Sequence, residues 1–224
     1  MTNEKVMLKR KAGRKPDLAG RAEKRTLLLE KGYEIFVEYG IAGISLNTVA
    51  EAAGFGIATI YRYFDKKQGF VVEIATKKWQ EFTGEILRHR PREDSESVTA
   101  AEMFEFYLDS FLQLYRDHKD LLRFNQMFNI YVQSEGIDAA TLKPYNDMAD
   151  RLAEQFHITY ERAKKDRTIR TDIPETELFS TTLHIMLAAV TRYAGGLVYM
   201  PEDFDDMKEL ETLKNMIMAQ YKAT

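Results

Sequence analysis

From Ser45 to Lys67 the chain reads SLNTVAEAAGFGIATIYRYFDKK, two short amphipathic patterns hinged at a glycine. In the first, Leu46, Val49, Ala50 and Ala53 recur at i, i+3, i+4 and i+7, the stripe of a helix with one buried face. Ser45 stands where a helix N-cap needs a side-chain acceptor. Gly54 ends the pattern, since a residue just past a helix end often turns left-handed, a conformation glycine adopts at least cost. In the second pattern Ile60 and Phe64 share a face, Ala58 and Arg62 take the opposite one, and Thr59 and Tyr61 flank them. Two short helices at a tight turn, the second rich in hydroxyl, aromatic and basic side chains, have helix-turn-helix geometry that suits a DNA major groove.

Upstream, Leu28, Ile35, Phe36 and Tyr39 give one apolar face to a long helix from Arg21 to Tyr39, which would cover both short helices. Downstream, Asp65 is placed to cap a fourth helix reaching about His89, with Lys66 and Lys67 in its first turn. Residues 1–20 are polar, basic and aperiodic, and are expected to form an arm without fixed structure. Within them Arg14 and Lys15 precede Pro16 and follow Gly13, a pattern that loosely resembles an AT-hook core entering a minor groove; a solvated tail is the alternative. Thirteen Lys and Arg face eight Asp and Glu between Met1 and Lys67, against nineteen and twenty-seven beyond it. The basic end supplies the counterion release that drives phosphate binding, and the acidic remainder weakens indiscriminate association with polyanions.

The ordered set Phe36, Tyr39-Gly40, Ile44-Ser45, Val49-Ala50, Ala53-Gly54, Thr59-Ile60-Tyr61, Phe64 and Lys67 resembles the DNA-binding domain of the TetR family of bacterial transcriptional regulators. The resemblance implies that Thr59, Tyr61 and Lys67 contact phosphates, and that Gly56, Ile57, Ala58 and Arg62 reach base edges. Ser45 and Thr48 are further candidates at the DNA backbone. Tyr63 stands where the family often has histidine; it either meets a phosphate or packs inward. Gly56 departs from the usual serine or threonine and leaves its helix without a side-chain cap. Only Arg62 and Thr59 can hydrogen-bond base edges strongly, so specificity is expected to rest also on thymine-methyl contacts from Ile57 and Ala58 and on DNA shape.

Past a charged, proline-broken loop, periodic segments run approximately over 99–118, 119–133, 139–165, 174–199 and 204–221, with no β-hairpin signal between them. The expected fold is therefore all-α. A three-helix helix-turn-helix domain at 21–67 joins a helical bundle at 68–224, which the resemblance assigns to ligand binding and dimerisation. Met103, Phe106, Tyr107, Phe124, Met127, Phe128, Tyr131 and Phe156 are either ordinary core or the walls of a pocket for an apolar or aromatic molecule. The resemblance puts that pocket against the end of the fourth helix, near Trp79 and Phe82. His184 lies on a largely apolar face and reads as a core histidine, with a ligand contact as the alternative. Near the C-terminus Leu178, Ile185 and Ala189, then Leu210, Leu213 and Ile217, form stripes that the resemblance pairs with their symmetry mates in a homodimer; packing on the subunit's own core is the alternative. Gly195-Gly196 is read as a place where helices approach closely.

Whole classes of function are disfavoured. With no cysteine there is no disulfide, thiolate metal site or cysteine nucleophile, and the expected compartment is a reducing cytoplasm. No apolar run approaches the roughly 18 residues of a membrane span. The four histidines lie in separate segments without HExxH spacing, and neither a glycine-rich phosphate loop nor a nucleophile elbow occurs, so neither an enzyme nor a metal or cofactor is expected. The sequence thus points to a ligand-responsive DNA-binding regulator, a repressor released from a pseudo-palindromic operator by a small apolar or aromatic molecule. The alternative is an architectural DNA-binding protein or a regulator without a ligand.

Overall fold

The structure is a computed structural model that describes residues 18–91, 97–199 and 201–223. Among the described residues the chain forms α1 (Leu18–Tyr39), α2 (Leu46–Ala52), α3 (Ile57–Tyr63), α4 (Lys67–Leu87), α5 (Ala100–Asp117), α6 (Lys119–Glu135), α7 (Ala139–Asp166), α8 (Glu175–Ala194) and α9 (Asp206–Tyr221). Arg14 and Lys15 lie outside the described residues. An antiparallel bridge, Ile169 to Lys222, ties the α7–α8 turn to the end of α9, where Arg170 N donates to Tyr221 O at 2.8 Å.

Two apolar cores organise these helices. The first gathers Leu28, Leu29, Tyr33 and Phe36 of α1, Val49 and Ala50 of α2, Ile60 of α3 and Phe70, Val71 and Ile74 of α4. It also takes Phe124, Phe128 and Tyr131 from α6, so the small head is built partly from a helix of the body. Gly32 lets α1 and α4 touch: a Cβ there would stand 2.5 Å from Phe70 Cζ and 3.0 Å from Ile74 Cδ1. The second core packs α5, α8 and α9 around Phe104, Leu108, Leu178, Met186, Val190 and Leu210, with Trp79, Phe82 and Ile86 from the far half of α4. Each fully buried Leu or Phe contributes about 1.5–3 kcal/mol against exposure. The two cores therefore meet along α4.

Local chemistry differs from the sequence reading at three helix ends. Tyr39 is exposed, because the α1 stripe Leu29, Tyr33, Phe36 continues to Gly40 at i+4 and not to Tyr39. Asp65 does not cap α4; Lys66 holds the N-cap position without a side-chain bond. The helix after Pro174 stops at Ala194, where Gly195 is the C-cap and Gly196 turns left-handed at φ +88°, so this glycine pair terminates a helix.

Candidate functional site

The turn between α2 and α3 is fixed by backbone bonds. Ser45 caps α2, its Oγ accepting from Thr48 N at 3.1 Å and lying 3.0 Å from Thr48 Oγ1. Both side chains are thus drawn into the cap. At the other end Phe55 N donates to Ala50 O at 2.8 Å and Gly54 N to Glu51 O at 3.0 Å, with Gly54 at φ +74°. These paired 6→1 and 5→2 bonds are a Schellman motif, which reverses the chain between α2 and α3. Gly56, at the N-cap of α3, makes no side-chain cap bond. Ile60 is anchored in the core, while Ile57 at 43% and Tyr61 at 50% exposure, together with Ala58 and Arg62, face outward. Thr59 and Tyr63 are half-buried, the Tyr63 ring lying 6.4 Å from that of Phe64. An α3 anchored on one side and bare on the other offers a convex face of the size a major groove admits.

Lys67 has a second set of partners. Its Nζ donates to Ile41 O at 2.6 Å and Ala42 O at 3.0 Å, and sits 5.2 Å from the centre of the Tyr131 ring on α6. Partial burial pulls its pKa below the ordinary lysine value, against the opposing pull of Glu135. The ammonium thereby clamps the α1–α2 turn to the start of α4.

In the body a cavity of about 110 Å³ opens between α4, α5, α7 and α8. Of the side chains the sequence proposed for a ligand, Trp79, Phe82, Tyr107 and Phe156 line it. The remaining ones lie elsewhere. Phe124, Phe128 and Tyr131 belong to the head core with Met127 packed beside them, because α6 packs this face on α1 and α4, with Phe124 against Tyr33 and Tyr131 under Lys67. Met103 is buried away from the cavity, Phe106 stacks edge-on against Tyr107, and His184 is exposed. Sequence reasoning missed Ile86, Leu152, Phe179, Leu183 and Leu187, which complete the wall. Phe179, Leu183 and Leu187 recur at i, i+4 and i+8, a stripe that periodicity shows but does not assign to a cavity.

Buried polar links run from the cavity to the head. Trp79 Nε1 donates to Asn125 Oδ1 at 3.1 Å, and Tyr145 Oη lies 3.5 Å from the same oxygen. Burial pushes the Tyr145 hydroxyl up to about 12. Next to Asn125 in the chain, Phe124 packs its ring 5.2 Å from Tyr33, whose hydroxyl donates to Asp120 at 2.7 Å. On the other side of α1, Glu30 receives Lys77 and Lys78 of α4; burial alone would raise its pKa, but the two ammonium groups hold it below the usual carboxylate range.

The C-terminal stripes divide. Leu178 and Leu210 are fully buried and Ile217 nearly so within the chain's own second core, so they have no area left for a partner. Ile185 at 42% and Met216 at 64% exposure stay outside, with Ala189 and Leu213 half-buried beside them. Among the described residues, no helix is long and apolar enough to cross a membrane.

Comparison with known proteins agrees with this geometry. Residues 28–74 match the model of a family described as bacterial regulatory proteins, tetR family. An HTH-type transcriptional regulator of Staphylococcus aureus is 29% identical over 101 residues, 45% of this chain and 52% of that protein. The chain thus spans about half the length of the curated relatives it matches. Among solved structures, a transcriptional regulator from Saccharomonospora viridis in complex with choline aligns with a TM-score of 0.70 at 17% identity, covering 91% of this chain and 99% of that one. The regulator FadR from Bacillus subtilis in complex with stearoyl-CoA aligns at 0.67 and 15% identity, over 87% and 97%. At such identities these two similarities establish the fold alone. The matched segment holds the whole helix-turn-helix, from Leu28 of α1 through α3 to Ile74 of α4, and on that ground this part of the chain is a DNA-binding domain of the TetR family of bacterial regulatory proteins.

Proposed function

We propose that the protein is a homodimeric repressor that leaves a pseudo-palindromic operator when a small apolar or aromatic molecule enters the cavity. The observation that carries this reading is the double duty of α4. Its first half, Phe70 to Ile74, is part of the core that holds α3, and its second half, Trp79 to Ile86, is a wall of the cavity. A molecule that favours one placement of Trp79 and Phe82 favours one placement of the head, provided it binds the two arrangements unequally. Two copies of α3 related by a two-fold axis would enter successive major grooves, with half-sites about 34–36 Å apart. The self-complementary contact is assigned to the outer faces of α8 and α9, around Ile185, Ala189, Leu213 and Met216. Choline and stearoyl-CoA in structural neighbours show that this fold accommodates unlike ligands, and neither is carried over to this chain.

The test has two arms. Light scattering after size exclusion should give a dimer at micromolar concentration, and a monomer there refutes the homodimer. Thermal-shift screening of apolar and aromatic compounds should return stabilisers that also release the protein from its upstream DNA. Stabilisers that leave the DNA complex intact refute the induction mechanism.

A further inference from the structure

The cavity carries one feature that restricts its occupant. Thr182 of α8 lines it, is only 5% exposed, and its Oγ1 has no hydrogen-bond partner within the protein. Threonines inside helices ordinarily satisfy a buried hydroxyl on the carbonyl one turn back. Thr76 of α4 does so, its Oγ1 donating to Val72 O at 2.8 Å. Thr182 does not. Thr159 and Thr191 share the missing partner, but neither lines the cavity. A buried polar group left unmatched destabilises the protein that carries it.

The other hydroxyl groups around the cavity, and the Trp79 indole, are matched within the chain. Ser110 Oγ donates to Tyr107 O at 2.6 Å, Thr83 Oγ1 to Gln80 O at 3.3 Å, Tyr107 Oη to Gln155 O at 3.3 Å, and the Trp79 indole to Asn125. The Gln155 side-chain oxygen accepts from Arg90. Among the described residues, no Lys, Arg, His, Asp or Glu lines the cavity. A charged group entering such a site would lose its hydration with no counter-charge to replace it.

Building on the ligand-cavity reading above, we infer that the occupant is an uncharged, mainly hydrocarbon molecule bearing one hydroxyl or carbonyl group, and that the Thr182 hydroxyl is the partner of that group. The hydrocarbon part fills the space between Phe82, Phe156 and the α8 leucines. Thr182 fixes which end enters first and rejects molecules lacking the polar group.

Three probes and one variant test this. Naphthalene, 2-naphthol and 2-naphthoate share a ring system and differ in the polar group; binding is read by calorimetry on the full-length protein and on Thr182→Val, which keeps the shape and removes the hydroxyl. The expected result is that 2-naphthol binds about tenfold more tightly than naphthalene, one matched hydrogen bond's difference, that 2-naphthoate does not bind, and that the preference disappears in Thr182→Val. Without ligand, Thr182→Val should melt at or above the temperature of the parent. Equal binding of naphthol and naphthalene, a preference that survives in Thr182→Val, or tight binding of 2-naphthoate overturns the inference while leaving the cavity as a ligand site. A lower melting temperature of unliganded Thr182→Val shows that the hydroxyl already has a partner, and also overturns it. Failure of all three probes to bind either protein overturns both the inference and the ligand-cavity reading.

Discussion

Replacing Lys67 with methionine separates its structural from its DNA-binding role. The side chain makes two charge-assisted bonds, to Ile41 O and Ala42 O, and a cation–π contact with Tyr131. Hydrogen bonds to a charged group are worth about 1.5–3 kcal/mol each when fully formed in the interior. Lys67 is only half-buried, so the two together are taken as one such bond, about 2 kcal/mol, and the ring contact adds about 0.5–1 kcal/mol. Methionine keeps the apolar stem, so the packing loss is small. Lys67→Met should therefore lower the unfolding free energy by about 2–3 kcal/mol in urea denaturation, with an unchanged slope of free energy on denaturant. A lysine that serves only as a phosphate contact would leave the urea midpoint in place and reduce the salt dependence of operator binding by about 0.9 for each lysine lost. That second pattern would refute the clamp.

Further outcomes follow from other contacts. Gly32→Ala should destabilise by up to about 2 kcal/mol, because overpacking against the buried Phe70 ring costs about 1–3 kcal/mol and the gain in helix propensity returns about 1; a variant of raised urea midpoint would contradict the close approach of α1 and α4. Glu30 has a depressed pKa in the folded protein, so its contribution is present above its ordinary value of 4.5 and is lost as pH falls through the lower folded value. Glu30→Gln should flatten the fall in stability below pH 4.5, and an acid limb identical to that of the parent would show that the Lys77 and Lys78 pairs do not act. Arg62→Ala should cost about 1–3 kcal/mol on the best operator and relax preference at one position of each half-site. A uniform loss over all sequences, measured on a panel of operator variants, would assign Arg62 to phosphates.

The helix-turn-helix was legible because each of its signals is local. Ser45 caps within three residues, Gly54 closes a turn within five, and the stripes of α2 and α3 each face a single neighbour. The body was legible as helices but not as surfaces. Phe124, Phe128 and Tyr131 recur at i, i+4 and i+7, and periodicity states that they share a face without stating what meets it. That face meets the head. On α8 the two interleaved stripes, Leu178-Met186-Val190 and Phe179-Leu183-Leu187, turn to the second core and to the cavity, with Thr182 between Leu178 and Met186 reaching the cavity as well, and only the packing of neighbouring helices tells them apart. Lys67 shows the same limit, since its acceptors stand 26 and 25 residues earlier in the chain.

The central claim is that the outer face of α3 reads a two-fold operator. Selection of genomic fragments by the purified protein, with Arg62→Ala as the paired control, tests it most directly. The account predicts a small set of pseudo-palindromic sites whose half-sites lie one helical turn apart or a multiple of it, with enrichment reduced in the variant. Even recovery of fragments irrespective of sequence, by the parent and the variant alike, would contradict it.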